Sequence, residues 1–202
     1  MALSFIFISH LSWSACPKFS VPSQNLKVTE KWSSILGLPT SFYIYDENDD
    51  YLGKVHKKWL NLRTRFDLKD KNGDLVAFGE NELISIGTIT NFYDCDGNFI
   101  GRLDEEFLKS LLKLRTSYVY FDEQELPIAQ STKLEFIVSR FFLSDYHSGE
   151  ELLKIKQNYH LLKYNWDIEF FDNSILDPRI VLLIPAFKTH SNYKRKKESE
   201  SQ

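Results

Sequence analysis

The stretch ILDPRIVLLIPAF, from Ile175 to Phe187, decides the fold of this chain. Asp177 and Pro178 are typical of a helix start, because the Asp carboxylate can accept from free backbone N–H groups and proline costs no hydrogen bond at the first helical position. The next turns, residues 180–184, are Ile, Val, Leu, Leu and Ile. A helix that is apolar on every side must be buried on every side. The preceding chain has the pattern of β-strands, so we predict a sheet that curls around this helix into a barrel.

The alternative is a helix that spans a membrane. From Pro178 to Lys188 the helix would rise roughly 16 Å, against a hydrocarbon core of about 30 Å. Pro185 would also remove one internal hydrogen bond, and Arg179 would lie at the membrane edge. These features favour a buried core helix.

Composition indicates one globular domain. The chain has 202 residues, of which 43% are hydrophobic, and it is rich in aromatics, with 16 Phe, 10 Tyr and 4 Trp, which favour strands. A net charge of −3 gives no general attraction to nucleic acid. The two cysteines, Cys16 and Cys95, form no CxxC pair and suggest no disulfide framework, which favours a reducing compartment.

The N-terminus has some features of an export signal. Residues 2–8 are mostly apolar, and Ser12-Trp13-Ser14 has the small-x-small pattern of a cleavage site. No Lys or Arg precedes the apolar run, however, and the run is short. We therefore expect a cytoplasmic protein, peripheral at a membrane if it binds one, rather than export through residues 1–15. Whether residues 1–15 are a cleaved signal stays open.

An internal repeat runs through the chain. Four segments align without gaps on an Asp, which is followed six residues later by Leu, Val or Ile and then by Gly or Ala; they begin at Asp46, Asp70, Asp94 and Asp122, with spacings of 24, 24 and 28. A looser copy surrounds Asp145. A repeat of this period indicates one supersecondary unit used several times. Asn72-Gly73 and Asp96-Gly97 are tight-turn dipeptides, so the unit is predicted to be a β-hairpin.

Alternation of apolar and polar residues indicates that one sheet face is buried and the other is wet. It is clearest for Leu60 to Lys69 and for Tyr164 to Phe170. Asp104 to Lys113 has helical spacing and predicts a short connecting helix. The predicted organisation is a leader over residues 1–22, either disordered or a strand, one barrel domain over 23–190, and a disordered tail over 191–202.

The hairpins with Tyr-Asp and an apolar-Gly/Ala pair, followed by a late Asp-Pro and an apolar helix, resemble the LURP-one-related family. That family belongs to the Tubby C-terminal-like superfamily, with phospholipid scramblases as distant relatives. The resemblance covers roughly residues 26–190 and implies a closed antiparallel barrel of about twelve strands around the C-terminal helix. It also implies phosphoinositide binding or action at membranes. Pro185 in the helix and the missing turn Gly after Asp122 depart from the family pattern.

The densest basic segment is the candidate site for an anionic lipid. Cations on neighbouring strands could hold a phosphorylated headgroup, and arginine suits bidentate contacts with phosphate. The candidate residues are Lys54, Lys57, Lys58, Arg63 and Arg65. The alternative is a solvated barrel face guarded by lysines. The basic run from Lys194 to Lys197 could also touch an anionic membrane, although a solubilising end explains it as well.

Catalytic and metal-binding motifs are absent from the sequence. The Asp-rich turns lack the spacing of an EF-hand, the five histidines are scattered, and there is no nucleophile elbow or phosphate loop. We therefore predict a non-enzymatic binding module, monomeric and without cofactor or metal, that docks on anionic phospholipid or phosphoinositide or on a protein, and not on nucleic acid. Two alternatives stay open, a scramblase-like protein whose C-terminal helix inserts in the bilayer and an enzyme with a site inside the barrel mouth.

Overall fold

The protein is described by a computed structural model over residues 16–17, 19–31, 41–58, 62–82, 89–105, 118–135, 140–160, 163–172 and 174–200. It contains twelve strands followed by one helix in these residues. They are β1 Asn25–Glu30, β2 Ser41–Asp46, β3 Tyr51–Lys57, β4 Arg65–Asp70, β5 Leu75–Asn81, β6 Ile89–Asp94, β7 Phe99–Glu105, β8 Tyr118–Phe121, β9 Pro127–Glu135, β10 Arg140–Asp145, β11 Glu151–His160, β12 Lys163–Phe170 and α1 Pro178–Glu200.

The strands form a closed antiparallel barrel. Each strand pairs with its neighbours in sequence, and β1 pairs with β12 to close the ring. The buried first half of α1 lies inside, where Phe187 packs edge-to-face on Phe66 of β4 with ring centroids 4.8 Å apart. The predicted fold class, a mainly β barrel wrapped around a C-terminal helix, is confirmed.

The alternating pattern places one face of each strand against the helix. Phe66 and Leu68 of β4 are fully buried, whereas Arg65 and Asp67 lie on the outer wall and are only partly buried. Trp166 of β12 points inward too, and its indole Nε1–H donates to the Thr189 hydroxyl of α1 over 3.1 Å. The predicted faces are therefore correct for β4 and β12, but Leu62, which was predicted on the buried face, precedes β4 and is 94% exposed.

The predicted start of α1 is confirmed. The Asp177 carboxylate accepts from the backbone N–H of Arg179 over 2.9 Å, and the helix begins at Pro178. The helix runs through Pro185, and the side chains from Ile180 to Ile184 are at most 4% exposed. The N-cap, the proline and the apolar run thus act as the sequence indicated.

The end of α1 corrects the predicted organisation. Disorder was expected over residues 191–202, but the helix continues to Glu200, and residues 201–202 lie outside the described chain. Tyr193 explains part of the difference, since its hydroxyl donates to the buried carboxylate of Glu30 over 3.0 Å and its ring packs on Tyr164. The buried turns also serve as a preformed nucleus, so each added helical residue costs little.

The repeated Asp residues organise the hairpin turns. In the first four copies the Asp side chain accepts from the backbone N–H groups two and four residues later, as Asp70 does from Asn72 and Asp74, both over 2.9 Å. The fourth turn lacks glycine, and Glu125 takes the left-handed conformation there, with φ of 60°. The carboxylates accept hydrogen bonds from the backbone of their own turns, as expected for β-hairpin turns rather than for calcium-binding loops.

The small residue after each turn is required by close strand packing. A Cβ atom on Gly53 would lie 2.3 Å from the backbone oxygen of Lys69, and one on Gly101 would lie 2.7 Å from that of Phe121. Ala77 and Ala129 occupy the matching positions and are fully buried. The Gly/Ala of the repeat therefore marks where one hairpin packs against the next.

The cysteines differ from expectation, and most of the predicted connecting helix lies outside the described residues. Cys16 and Cys95 form a disulfide, which the sequence was not expected to contain, because a pairing across 79 residues has no local sequence signal. Asp104 and Glu105 end strand β7, and the rest of the predicted helix up to residue 113 lies outside the described residues.

We expect Leu183→Ala to lower the free energy of unfolding by about 2–5 kcal/mol, because it leaves a cavity in the fully buried helix face. Urea unfolding measures this loss. Leu62→Ala is the matched control, since Leu62 is 94% exposed and its truncation should leave stability nearly unchanged. Equal losses in the two variants would contradict the buried position of α1.

Candidate functional site

The predicted basic segment lies where the second half of α1 leaves the barrel. Strand β3 ends at Lys57, and the backbone N–H of Lys58 donates to the carbonyl of Arg65 over 2.9 Å, which brings the two ends of the β3–β4 connection together. His190 of α1 lies against this connection. Lys57 Nζ is 3.4 Å from His190 Nδ1, and Thr64 Oγ1 is 3.4 Å from His190 Nε2.

The structure joins two basic segments that are far apart in the sequence. Lys194 lies one helical turn beyond His190, and Lys197 follows nearly one turn later; both are exposed. Lys58 and Arg63, on the β3–β4 connection, are also exposed. We call Lys57, Lys58, Arg63, Lys194 and Lys197 the basic end of the barrel.

The five candidate residues do not form one cluster. Lys57, Lys58 and Arg63 belong to the basic end, whereas Lys54 and Arg65 lie on the outer wall of the barrel. Arg65 is already engaged, because its Nε lies 2.7 Å from Asp67 and its Nη1 lies 3.4 Å from Glu80. Its guanidinium carbon also stacks 3.6 Å from the Phe78 ring centroid. An anion would have to compete with these contacts, so Arg65 is a poor ligand for a headgroup.

Leu62 is an exposed apolar residue next to these cations. It is 94% exposed and adjacent in sequence to Arg63. Sequence reasoning missed it, because the alternating pattern placed Leu62 on the same face as Phe66 and Leu68. An exposed Leu beside exposed cations is the combination that interfacial membrane contacts use.

His190 reports the positive potential at the basic end. Burial, followed by the charges of Lys57 and Lys194, lowers the pKa of His190 to about 4. The neutral ring can accept from the Lys57 ammonium at Nδ1 and donate to the Thr64 hydroxyl from Nε2. His190 is thus an uncharged side chain that lies near two cations, Lys57 and Lys194.

The opposite end of the barrel is acidic. It carries the hairpin turns with Asp46, Asp70, Asp94, Asp122 and Asp145, and the start of α1 lies there, since Ile180 packs against the position of Gly101 in β7. Arg179 at this end donates to both carboxylate oxygens of Asp177. We call this the turn end. The hairpin carboxylates therefore lie at the turn end, although Glu82 and Glu105 lie at the same end of the barrel as the basic residues.

Cavities occur at both ends of the barrel. One lies beside α1 at the basic end, where Lys188 Nζ donates to the Tyr118 hydroxyl over 2.9 Å; its volume of about 30 Å³ suits one or two waters, far below an ordinary ligand pocket. The other is an open cleft of about 440 Å³ at the turn end, lined by Phe19, Tyr120 and Arg179 among others. Its arginine is neutralised by Asp177, and we assign no ligand to it.

One group of possible metal ligands occurs among the described residues, namely Cys16, Cys95 and Asp96, whose ligand atoms lie within 4.8 Å of one another. Both sulfurs are bonded to each other, so neither is a thiolate donor. We therefore assign no metal to this group. In the part of the chain that the structure describes, no helix is both long and apolar enough to cross a bilayer.

Comparison with known proteins adds no identification. No protein-family model matches the chain, and no curated protein matches it.

We expect the protein to lose stability as the pH falls from about 6.5 to about 4 because of His190, whose pKa is lowered on folding from its ordinary 6.5 to about 4. In that range the unfolded chain binds the proton and the folded protein does not, so protonation favours unfolding. Urea unfolding at about pH 7 and about pH 5 should show a smaller loss for His190→Gln than for the wild type. His147→Gln, which removes an exposed turn histidine, should retain the wild-type loss. If His190→Gln loses as much stability as the wild type, the buried neutral histidine is excluded.

Proposed function

We propose that the protein is a non-enzymatic binding module that docks its basic end on anionic phospholipid, with phosphoinositides as the phosphate-rich case. The observation that carries this proposal is the contact of Lys57 with His190 of α1, which places exposed Lys58 and Arg63 at the end of the barrel where α1 emerges, away from the hairpin carboxylates. An anionic surface would attract this end and repel the turn end. The bound protein would therefore have a defined orientation, with its basic end towards the membrane surface.

Leu62 supports the same orientation. It projects at the basic end, so a docked protein would bury it in the interfacial region while the neighbouring cations contact phosphates. Burial of one leucine side chain contributes about 1.5–3 kcal/mol, and each basic residue near the surface contributes about 1 kcal/mol. Together these terms suffice for reversible peripheral attachment without an inserted helix.

Family membership is part of the proposal. The hairpin repeat and the helix-filled closed barrel are what the resemblance to the LURP-one-related family implies, and they support placing the chain there. Peripheral attachment at a membrane surface fits the exposed basic end. The sequence favoured a cytoplasmic location, but a disulfide is typical of an oxidising compartment, so we do not tie the docking to the cytoplasmic leaflet.

The other interpretations receive less support. A scramblase-like insertion would require the residues from Ile180 to Ile184 to leave a barrel in which they are at most 4% exposed. An enzyme would need a substrate site, and the cavity beside Lys188 offers only about 30 Å³, while the arginine in the larger turn-end cleft is already engaged by Asp177. A protein partner has one feature in its favour, a partly exposed cluster on the outer wall in which the Tyr51 ring lies 5.9 Å from those of Tyr43 and Tyr45.

Vesicle flotation tests the docking. We expect salt-sensitive binding to vesicles that contain anionic phospholipid and none to neutral vesicles, and we expect Lys58→Gln/Arg63→Gln to weaken binding roughly 10- to 30-fold. The matched control is Lys27→Gln/Lys71→Gln, which removes the same charge at the turn end. Leu62→Ala should weaken binding without reducing its salt dependence. Equal binding by the two double variants would refute an oriented basic end.

A soluble inositol phosphate provides a check on the location of the site. Burial is the larger cause of the lowered pKa of His190, but the negative charge of the ligand near Lys57 and Lys194 would offset the part due to these lysines, so the pKa should rise on binding. Histidine resonances followed by NMR during a pH titration report this shift, with exposed His147 as the internal control. A shift at His147 alone, or at neither residue, would argue against binding at the basic end.

A further inference from the structure

An irregular N-terminal segment lies over the start of α1. None of the described residues from 16 to 22 belongs to a strand, yet Phe19 and Val21 pack against the hydrophobic core. Phe19 lines the turn-end cleft together with Ile100 and Pro178. The segment therefore covers apolar surface at the mouth where α1 begins, without the ladder of hydrogen bonds that holds each strand.

A disulfide between Cys16 and Cys95 attaches this segment to the barrel in place of backbone hydrogen bonds to a neighbouring strand. The Cα atoms of Cys16 and Cys95 are 5.6 Å apart, within the usual range for a disulfide, although the residues are 79 positions apart in the chain. Two cysteines and no others occur in the sequence, and the fold pairs them with each other. The bond fixes the segment at its first described residue.

The repeat shows that Cys95 is a departure at its position. Cys95 directly follows the turn Asp of the third hairpin, and the other hairpins carry exposed residues there, namely Glu47, Lys71, Glu123 and Tyr146. Cys95 is half-buried. The third turn is also close to the start of α1, since the charge of Arg179 acts on Asp94. Cys95 thus lies in the turn that is close enough to the N-terminal segment for a bond with Cys16.

We propose that the Cys16–Cys95 disulfide is a structural latch that holds residues 16–17 and 19–22 over the start of α1, and that the chain matures in an oxidising, extracytoplasmic compartment. The apolar run over residues 2–8 and the small-x-small pattern at residues 12–14 lie just before Cys16 and have part of an export-signal pattern, which lacks the usual preceding Lys or Arg, so the disulfide is the main support for this compartment. Disulfides form and persist in such compartments and are rare in the cytosol.

The chemistry is thiol–disulfide exchange. The thiols of Cys16 and Cys95 lose two protons and two electrons as the sulfur–sulfur bond forms. A disulfide-bearing oxidant, either a thiol oxidoreductase or oxidised glutathione, takes up the electrons and protons and is reduced to thiols. Formation of the bond restricts the unfolded chain over the 79-residue separation and retains the segment in the folded state.

Hydroxyl-radical footprinting of the purified full chain tests the latch. After reduction with dithiothreitol, or in Cys95→Ser, we expect Phe19 to be labelled several-fold faster while buried Phe66 stays protected. We also expect the melting temperature to fall by roughly 5–15 °C. Lys71→Ser, at the equivalent place in the second turn, should change neither measurement. Unchanged labelling of Phe19 in both the reduced protein and Cys95→Ser would overturn the latch.

The compartment is tested by the thiol state in cells that make the protein naturally. Acid quenching followed by alkylation and intact-mass analysis counts the free cysteines. We expect a chain with no alkylated cysteine, whose mass is lower by two hydrogen atoms than that of the reduced chain. Two alkylated cysteines would overturn the proposed oxidising compartment, whatever the purified protein does in air.

Discussion

The structure depends on one constraint, which is that an apolar helix must be covered from all sides. The side chains from Ile180 to Ile184 cover the whole circumference of α1, and all are at most 4% exposed. A sheet covers one side of a helix, whereas a closed sheet covers every side and has no unpaired edge. The pairing of β1 with β12, which closes the sheet, is therefore what allows the apolar residues from Ile180 to Ile184 to be buried on all sides.

The repeated hairpin is the element that makes this closure possible. Its constant part is the Asp, whose carboxylate accepts from two backbone N–H groups of the turn. The residue with positive φ differs between the turns: it is glycine in two of them (Gly73 and Gly97), Asp49 in the first and Glu125 in the fourth. A left-handed conformation costs a non-glycine residue free energy, and the two side-chain hydrogen bonds offset part of that cost. The turn geometry therefore survives without glycine, which explains why the repeat is recognisable from Asp and not from the turn dipeptide.

Local signals in the sequence predicted most of the fold but only part of the site. The helix start at Asp177 and the inward face of Phe66 and Leu68 follow from spacing alone. The pairing of Arg65 with Glu80 depends on the register between β4 and β5, which composition does not reveal. The Cys16–Cys95 bond and the meeting of His190 with Lys57 depend on closure of the barrel. These missed contacts are nonlocal, whereas exposed Leu62 was missed because the alternating pattern was extended beyond the start of β4.

The helix axis also separates the two proposed roles in space. The latch lies where α1 begins, among the hairpin carboxylates, and the basic end lies where its second half emerges. Because an anionic surface repels the turn end, docking would leave the disulfide facing solvent and accessible to a thiol oxidant or reductant. The two ends share one element, α1, so any coupling between binding and the redox state of the disulfide has to pass along this buried helix.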